Sequence, residues 1–214
     1  MRTIDMQSWS RRGHYEFFST FNHPHFNMCA NVDITKLYRY SKEQGFSLTA
    51  VISYMISRTA NDIPEFRQRI RQGTVIEHET VSPSITILVD NDLFSFCTID
   101  YSQDFAGYAG RFVDRVTAVK SQPTLKDPPG RDDLLYMTAI PWVSFTSFTH
   151  PMIQHPADSI PRFAWGKYSE EGGLIKIPLS VQGHHALMDG LHMGKFYQVI
   201  EGYLQQPEAT LAAT

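Results

Sequence analysis

The residues best suited to chemistry lie together in the run Gln182-Gly183-His184-His185-Ala186-Leu187-Met188-Asp189-Gly190, where an apolar alternating stretch gives way to an amphipathic one. A free imidazole, with a pKa of about 6.5, is largely neutral at physiological pH and can accept a proton there. A strand-to-helix turn suits such a group, because the rigid elements on each side fix its side chain in a cleft. Spacing alone leaves other readings open. On spacing alone His185 reads more readily as a satisfied, partly buried imidazole at an element boundary, and Asp189 more readily still as an ordinary helix cap that relieves orphan amides and the helix dipole. A metal site needs further Cys, His or carboxylate ligands, and the sequence has no second close His pair or Cys pair nearby, so no metal is expected.

The elements that must hold this turn are legible from periodicity. Helical spacing runs through 12–21, 35–44 and, most strongly, 47–62, where Leu48, Val51, Ile52, Met55, Ile56 and Thr59 share a face; Ser47 is placed to cap it and Pro64 to end it. Strands are predicted over 65–70, 74–77, 84–89, 93–99, 134–140, 161–168 and 174–182, and further helices over 103–120 and 190–205. Runs of helix and runs of adjacent strands, without regular alternation, predict an α+β fold: a two-layer sandwich of helices on a mostly antiparallel or mixed sheet. The 214 residues, 42% hydrophobic and 19% charged, are enough for one domain over the whole chain, with the small, polar tail after about residue 206 expected to fray.

Composition removes several functions. A net charge of -3 with scattered basic residues offers no phosphate-binding surface, so no nucleic-acid partner is expected. Arg67, Arg69 and Arg71 alternate and read as one solvated strand face. Cys29 and Cys97 are expected to be reduced thiols, and the absence of a signal-like amino terminus or an apolar membrane span points to the cytoplasm.

The run from His184 to His192 resembles the active-site signature of the chloramphenicol acetyltransferases, within the wider HxxxDG acyltransferases that include the dihydrolipoamide acyltransferases. Residues 9–16, 64–67, 101–104 and above all Pro141-Trp142-Val143-Ser144-Phe145-Thr146-Ser147-Phe148 agree with the family's pattern in the same order, so the similarity extends from about residue 4 to 205. It implies a coenzyme-A-dependent O-acetyltransferase, with acetyl-CoA as co-substrate, chloramphenicol as acceptor and antibiotic resistance as the consequence. A relative acting on another small hydroxyl compound, or a silent CoA-binding protein, stays open beside it.

By the same resemblance, His185 is the base that takes the acceptor's hydroxyl proton, its second ring nitrogen held by its own backbone carbonyl. Ser147 stabilises the tetrahedral oxyanion, although judged alone it reads as an ordinary half-buried strand or turn serine; a nucleophilic role is disfavoured, because no G-x-S-x-G elbow surrounds it. Asp189 pairs with Arg11 to position the loop. Phe18, Phe26 and Phe94 line the acceptor pocket and Tyr168 packs against CoA, although each aromatic judged alone reads as core. The resemblance further implies a homotrimer with active sites between subunits. Ala164 stands where other members carry Thr, Leu187 and Met188 replace Val and Cys, and 149–163 departs from the family's usual Asn-rich version; these differences bear on the acceptor.

Overall fold

A computed structural model of the chain describes residues 1–153 and 157–212. In chain order the elements are β1 (Arg2–Thr3), α1 (Arg12–Phe18), β2 (His25–Asp33), α2 (Thr35–Gln44), α3 (Leu48–Asp62), β3 (Gln68–Arg71), β4 (Thr74–Glu77), β5 (Ser82–Leu88), β6 (Phe94–Thr98), α4 (Phe105–Ser121), β7 (Leu134–Ile140), β8 (Arg162–Gly166), β9 (Ser169–Glu171), β10 (Leu174–His184), α5 (Gly190–Gln205) and α6 (Pro207–Leu211). Local chemistry sets many of these boundaries. Ser47 Oγ accepts the Ala50 amide at the start of α3, and Asp104 accepts the Ala106 and Gly107 amides at the start of α4. Gly45 ends α2 at φ 71°, and Gln72-Gly73 turn β3 into β4 with φ of 49° and 77°, the positive pair a tight hairpin requires.

The main sheet has seven strands in the order β2-β10-β8-β7-β5-β6, with β9 also paired to β10. Most pairs are antiparallel, but β7 runs parallel to both β5 and β8, which makes the sheet mixed. Strand alternation gives it two unlike faces. Ile85, Met137, Phe163, Trp165, Leu179 and Val181 point into the core shared with α2, α3, α4 and α5. Each such side chain contributes about 1.5–3 kcal/mol by leaving water. The opposite face carries Ser84, Thr98, Arg162, Ser180, Gln182 and His184, all buried despite their polarity. The irregular chain on that side satisfies several of them: Asp127 accepts from Ser84 and Thr98, and the Phe148 carbonyl accepts from Ser180 Oγ at 2.8 Å.

Four expectations are corrected. Residues 64–67 form a 3-10 turn instead of the first part of a strand, because Pro64 favours that turn, and β3 begins at Gln68. Arg69 is 1% exposed, not solvated; it donates to the carbonyls of Phe66, Gln68, Asp132 and Leu134. Its neighbours are occupied too, Arg67 by Glu77 and Arg71 by a two-pronged contact with Asp132. The tail does not fray at 207: α6 buries Pro207, Thr210 and Leu211. Finally, β2 is a nine-residue strand that the periodicity did not reveal, registered along β10 from Lys176↔Asp33 to His184↔His25.

Candidate active site

His185 sits in the tight turn between β10 and α5, and every part of that turn is anchored. The Leu187 and Met188 amides donate to the His184 carbonyl at 2.9 and 3.1 Å, and the His185 amide donates to the Pro24 carbonyl at 2.7 Å. Ala186, Leu187 and Met188 are fully buried beneath it. Gly183 makes room: a Cβ there would lie 2.3 Å from Met188 Sδ. Because Met188 is itself enclosed, a larger residue would push the turn off its seat.

Arg11 closes the turn from outside. Its Nη1 lies 2.6 Å from Asp189 Oδ2, its Nη2 donates to the His185 carbonyl at 2.9 Å, and its Nε to the Ala186 carbonyl at 3.2 Å. One guanidinium thus binds a carboxylate and two successive carbonyls, a use of its planar fork that lysine cannot copy. Asp189 also caps α5 by accepting the Leu191 amide at 3.0 Å. Burial pushes its carboxyl upward, but the Arg11 bond and the nearby His192 outweigh that and hold it at about 2.

The His185 ring is held between aromatic faces. It stacks on Phe18 at 3.9 Å between centroids with 6° between planes, and Phe26 packs at 4.6 Å and 34°. Nδ1 is the enclosed nitrogen, and it has no hydrogen-bond partner among the described residues. The expected bond to its own carbonyl is therefore not formed; that carbonyl receives Arg11 instead. His184 is a different kind of group. It is 4% exposed, its Nδ1 accepts the Ala186 amide at 3.2 Å, and burial, followed by the neighbouring His25, lowers its pKa to about 4.

The remaining expected residues are not gathered around His185 within one chain. Ser147 is exposed in the irregular segment after β7, which is tied down on either side of it where Lys167 N donates to the Val143 carbonyl and Ser180 to that of Phe148. Phe94 is 50% exposed on β6, at the far edge of the sheet from β2, five strand spacings or roughly 24 Å away. Tyr168 packs on Tyr38, with centroids 5.1 Å apart. It lies beyond Trp165, which is registered with Leu179, six residues or roughly 20 Å along β10 from His185. Ala164 is fully buried opposite Ser180.

Sequence reasoning passed over a second group beside the turn. His23, Pro24, His25, His150 and Gln182 line a cavity of about 340 Å³. The register His184↔His25 puts the ring of His184, which is not in the cavity wall, 4.9 Å from that of His25, a proximity that follows only once β2 is known to be a strand. Among the described residues no group of three or more His, Cys, Asp or Glu side chains is disposed to hold a metal ion, and no helix is long and apolar enough to cross a membrane.

The chain is similar in sequence and in fold to known acyltransferases. A chloramphenicol acetyltransferase of Clostridium perfringens is 30% identical over 200 residues, covering 91% of this chain and 90% of its own. One from Proteus mirabilis is 28% identical over 204 residues, covering 95% and 94%. A solved chloramphenicol acetyltransferase superposes with a TM-score of 0.85 at 26% identity, over 95% of this chain and all of its own. A dihydrolipoamide acetyltransferase of Azotobacter vinelandii shares the fold, with a TM-score of 0.70 at 16% identity over 94% and 88% of the two chains. The sequence pattern of the chloramphenicol acetyltransferase family runs through residues 1–201, enclosing both the Arg11 clamp and the His185 turn, and the chain is an acyltransferase that belongs to that family.

Proposed function

We propose that this protein transfers the acetyl group of acetyl-CoA to a hydroxyl of chloramphenicol, and that His185 is the base. The observation that carries the reading is the His185 ring itself, stacked on Phe18 and packed against Phe26 upon a turn whose backbone is fixed by Pro24 and Arg11. Such fixing is what a proton acceptor needs, since its reach to the substrate must be set before the reaction begins. His185 Nε2 takes the proton as the acceptor oxygen attacks the thioester carbonyl. The Ser147 hydroxyl donates to the oxyanion that forms. When the carbon–sulfur bond breaks, the proton passes from Nε2 to the departing thiolate, and no acyl-enzyme forms.

Phe94 is exposed on the strand at the far edge of the sheet from β2, and Ser147 is exposed, which supports a homotrimer in which each cleft is completed by a neighbouring copy. Tyr168 lies along the sheet from His185, and its exposed ring offers a surface for CoA. The whole chain then acts as one catalytic domain, working in the cytoplasm where acetyl-CoA is held, and acetylation of the drug confers resistance.

Release of free thiol from acetyl-CoA with chloramphenicol tests the reading. Turnover with chloramphenicol that is lost in His185→Ala, by about 10²–10⁴-fold in kcat, is the expected result. Thiol release that survives this substitution at near the original rate removes His185 as base.

A further inference from the structure

Asp189 uses both of its carboxylate oxygens, and Arg11 takes only one of them. Oδ2 meets the guanidinium, whereas Oδ1 accepts the Leu191 amide at 3.0 Å and lies 2.9 Å from His192 Nδ1. The same ring nitrogen stands 3.1 Å from the Asp189 backbone amide, which completes a capping box at the start of α5. A cap asks nothing more of His192 than this one nitrogen. Yet the ring is buried, and its other nitrogen, Nε2, lies 3.4 Å from Glu65 Oε1.

Glu65 belongs to the 3-10 turn at 64–67, a part of the frame remote in sequence from the His185 turn. That part is firmly seated. Phe66 is fully buried, its ring 5.1 Å from that of Phe196 and 6.0 Å from that of Phe163, and Arg67 pairs with Glu77 at 3.1 Å. His192 and Phe196 are four residues apart on α5, so one face of the helix meets both Glu65 and Phe66. Burial pushes the Glu65 carboxyl upward, but hydrogen bonding, first from His192, outweighs it and holds the group below its ordinary value. In either protonation state the ring joins the two acids. Neutral, it accepts the Asp189 amide at Nδ1 and donates from Nε2 to Glu65; charged, it donates to a carboxylate on each side.

We infer that His192 is a positioning residue for the transfer: it ties the Asp189 carboxylate to Glu65 on the frame, and so sets the Arg11 fork that holds the His185 turn. The inference rests on the acetyltransferase reading above. A carboxylate's last torsion is soft, so an Asp held by one oxygen can swing. The Leu191 amide steadies Oδ1 from within the helix, and His192 connects it to the turn outside. Oδ2 then offers Arg11 a single geometry, in which Nη2 and Nε fall on the His185 and Ala186 carbonyls. A displacement of about 1 Å at a reacting group can cost about a hundredfold in rate, so a loosened fork should be felt in turnover more than in substrate binding.

A kinetic cycle on thiol release from acetyl-CoA with chloramphenicol tests this, with rates taken at a temperature where melting curves show every variant folded. His192→Leu should lower kcat about tenfold and leave the KM values of both substrates within about twofold of wild type. Glu65→Ala leaves the cap intact and should produce the same loss; a wild-type kcat in that variant would make His192 a cap alone and overturn the inference. In an Arg11→Ala background either substitution should lower kcat by less than about twofold, because the link it serves is already cut. Losses that multiply in full there overturn it. His192→Gln keeps an acceptor for the Asp189 amide and N–H donors for a carboxylate, so it should restore most of the rate, and a Gln variant no faster than the Leu variant counts against the inference. If His192→Leu does not fold, Glu65→Ala and Arg11→Ala carry the cycle by the same criteria. A wild-type protein that releases no thiol with chloramphenicol removes the proposed function and the inference with it, whereas wild-type turnover with independent losses removes the inference alone.

Discussion

Arg11 and Arg69 are both guanidinium groups largely taken out of water, and they are satisfied in opposite ways. Arg69 meets four backbone carbonyls from the 3-10 turn, β3 and the start of β7 and, among the described residues, has no ion pair with a carboxylate. Burial lowers its pKa to about 10 while Asp132 and Asp133 act against that, so it stays charged and welds the 3-10 turn and β3 to the start of β7. Arg11 meets a carboxylate and two carbonyls, all within the turn that carries His185. The first is a rivet in the frame. The second is a clamp on the site, and the difference teaches that a buried cation's importance for chemistry depends on which backbone it holds.

The largest effect expected from breaking this comparison is on stability, at Arg69. Replacing it by Met takes its donors from four carbonyls, three of them on buried residues; at about 1–3 kcal/mol for each of those three, a loss of at least about 3 kcal/mol is predicted. The protein that remains folded should keep its kcat. Urea midpoints together with active-site-normalised rates measure both, and a kcat that falls with an unchanged midpoint would reverse the roles of the two arginines.

Arg11→Ala should show the other pattern. Asp189 is 29% exposed, so solvent compensates part of its charge and the stability loss is put at about 1–3 kcal/mol, below the cost of orphaning a fully buried ion. Activity should fall more than stability predicts, because the His185 and Ala186 carbonyls are released together. A double-mutant cycle with Asp189→Ala separates the ion pair from the carbonyl bonds: a coupling of about 0.5–3 kcal/mol is expected. A coupling near zero, with Arg11→Ala melting like wild type, would make Asp189 a helix cap and nothing more.

Acid should distinguish the two regions of the turn in smaller steps. His184 and His150 have folded pKa values of about 4, depressed by burial. An unfolded histidine titrates at about 6.5, so in that window the unfolded chain binds protons that the folded one refuses. Stability should therefore decline as pH falls from about 6.5 toward 4. Asp189, held at about 2, contributes stability that is complete above the unfolded carboxyl value and is lost only below about 4. Urea midpoints at pH 7, 5.5 and 4.5 should fall less steeply in His184→Gln, and a flat wild-type profile across this range would contradict the neutral, buried assignment.

Much of this arrangement could be read from residues alone. The 134–140 strand and the 190–205 helix coincide with β7 and α5, since each has strong periodicity and a clear stop. His185 was separated from His184 only by family resemblance, because both rings sit in one run and nothing in their spacing tells a stacked imidazole from an enclosed one. β2 was missed because His25-Phe26-Asn27-Met28-Cys29-Ala30-Asn31 does not alternate cleanly; nine residues of pairing to β10 impose its conformation from outside. The same long-range order hid the histidine cavity and turned the Arg67, Arg69, Arg71 alternation from a solvated face into three anchored cations. Residues 207–211 look like a frayed end by composition and are instead ordered by packing, with Leu211 in the core. The contacts of a site that come from short segments brought together by a sheet are where periodicity stops informing.

The central claim is that one imidazole, presented by a clamped turn, reaches the acceptor's hydroxyl. A crystal structure of the protein with chloramphenicol bound tests it most directly. The account predicts a hydroxyl of the ligand within about 2.6–3.2 Å of His185 Nε2. Chloramphenicol seated with every hydroxyl well beyond hydrogen-bond reach of that nitrogen, and no water joining them, would contradict it.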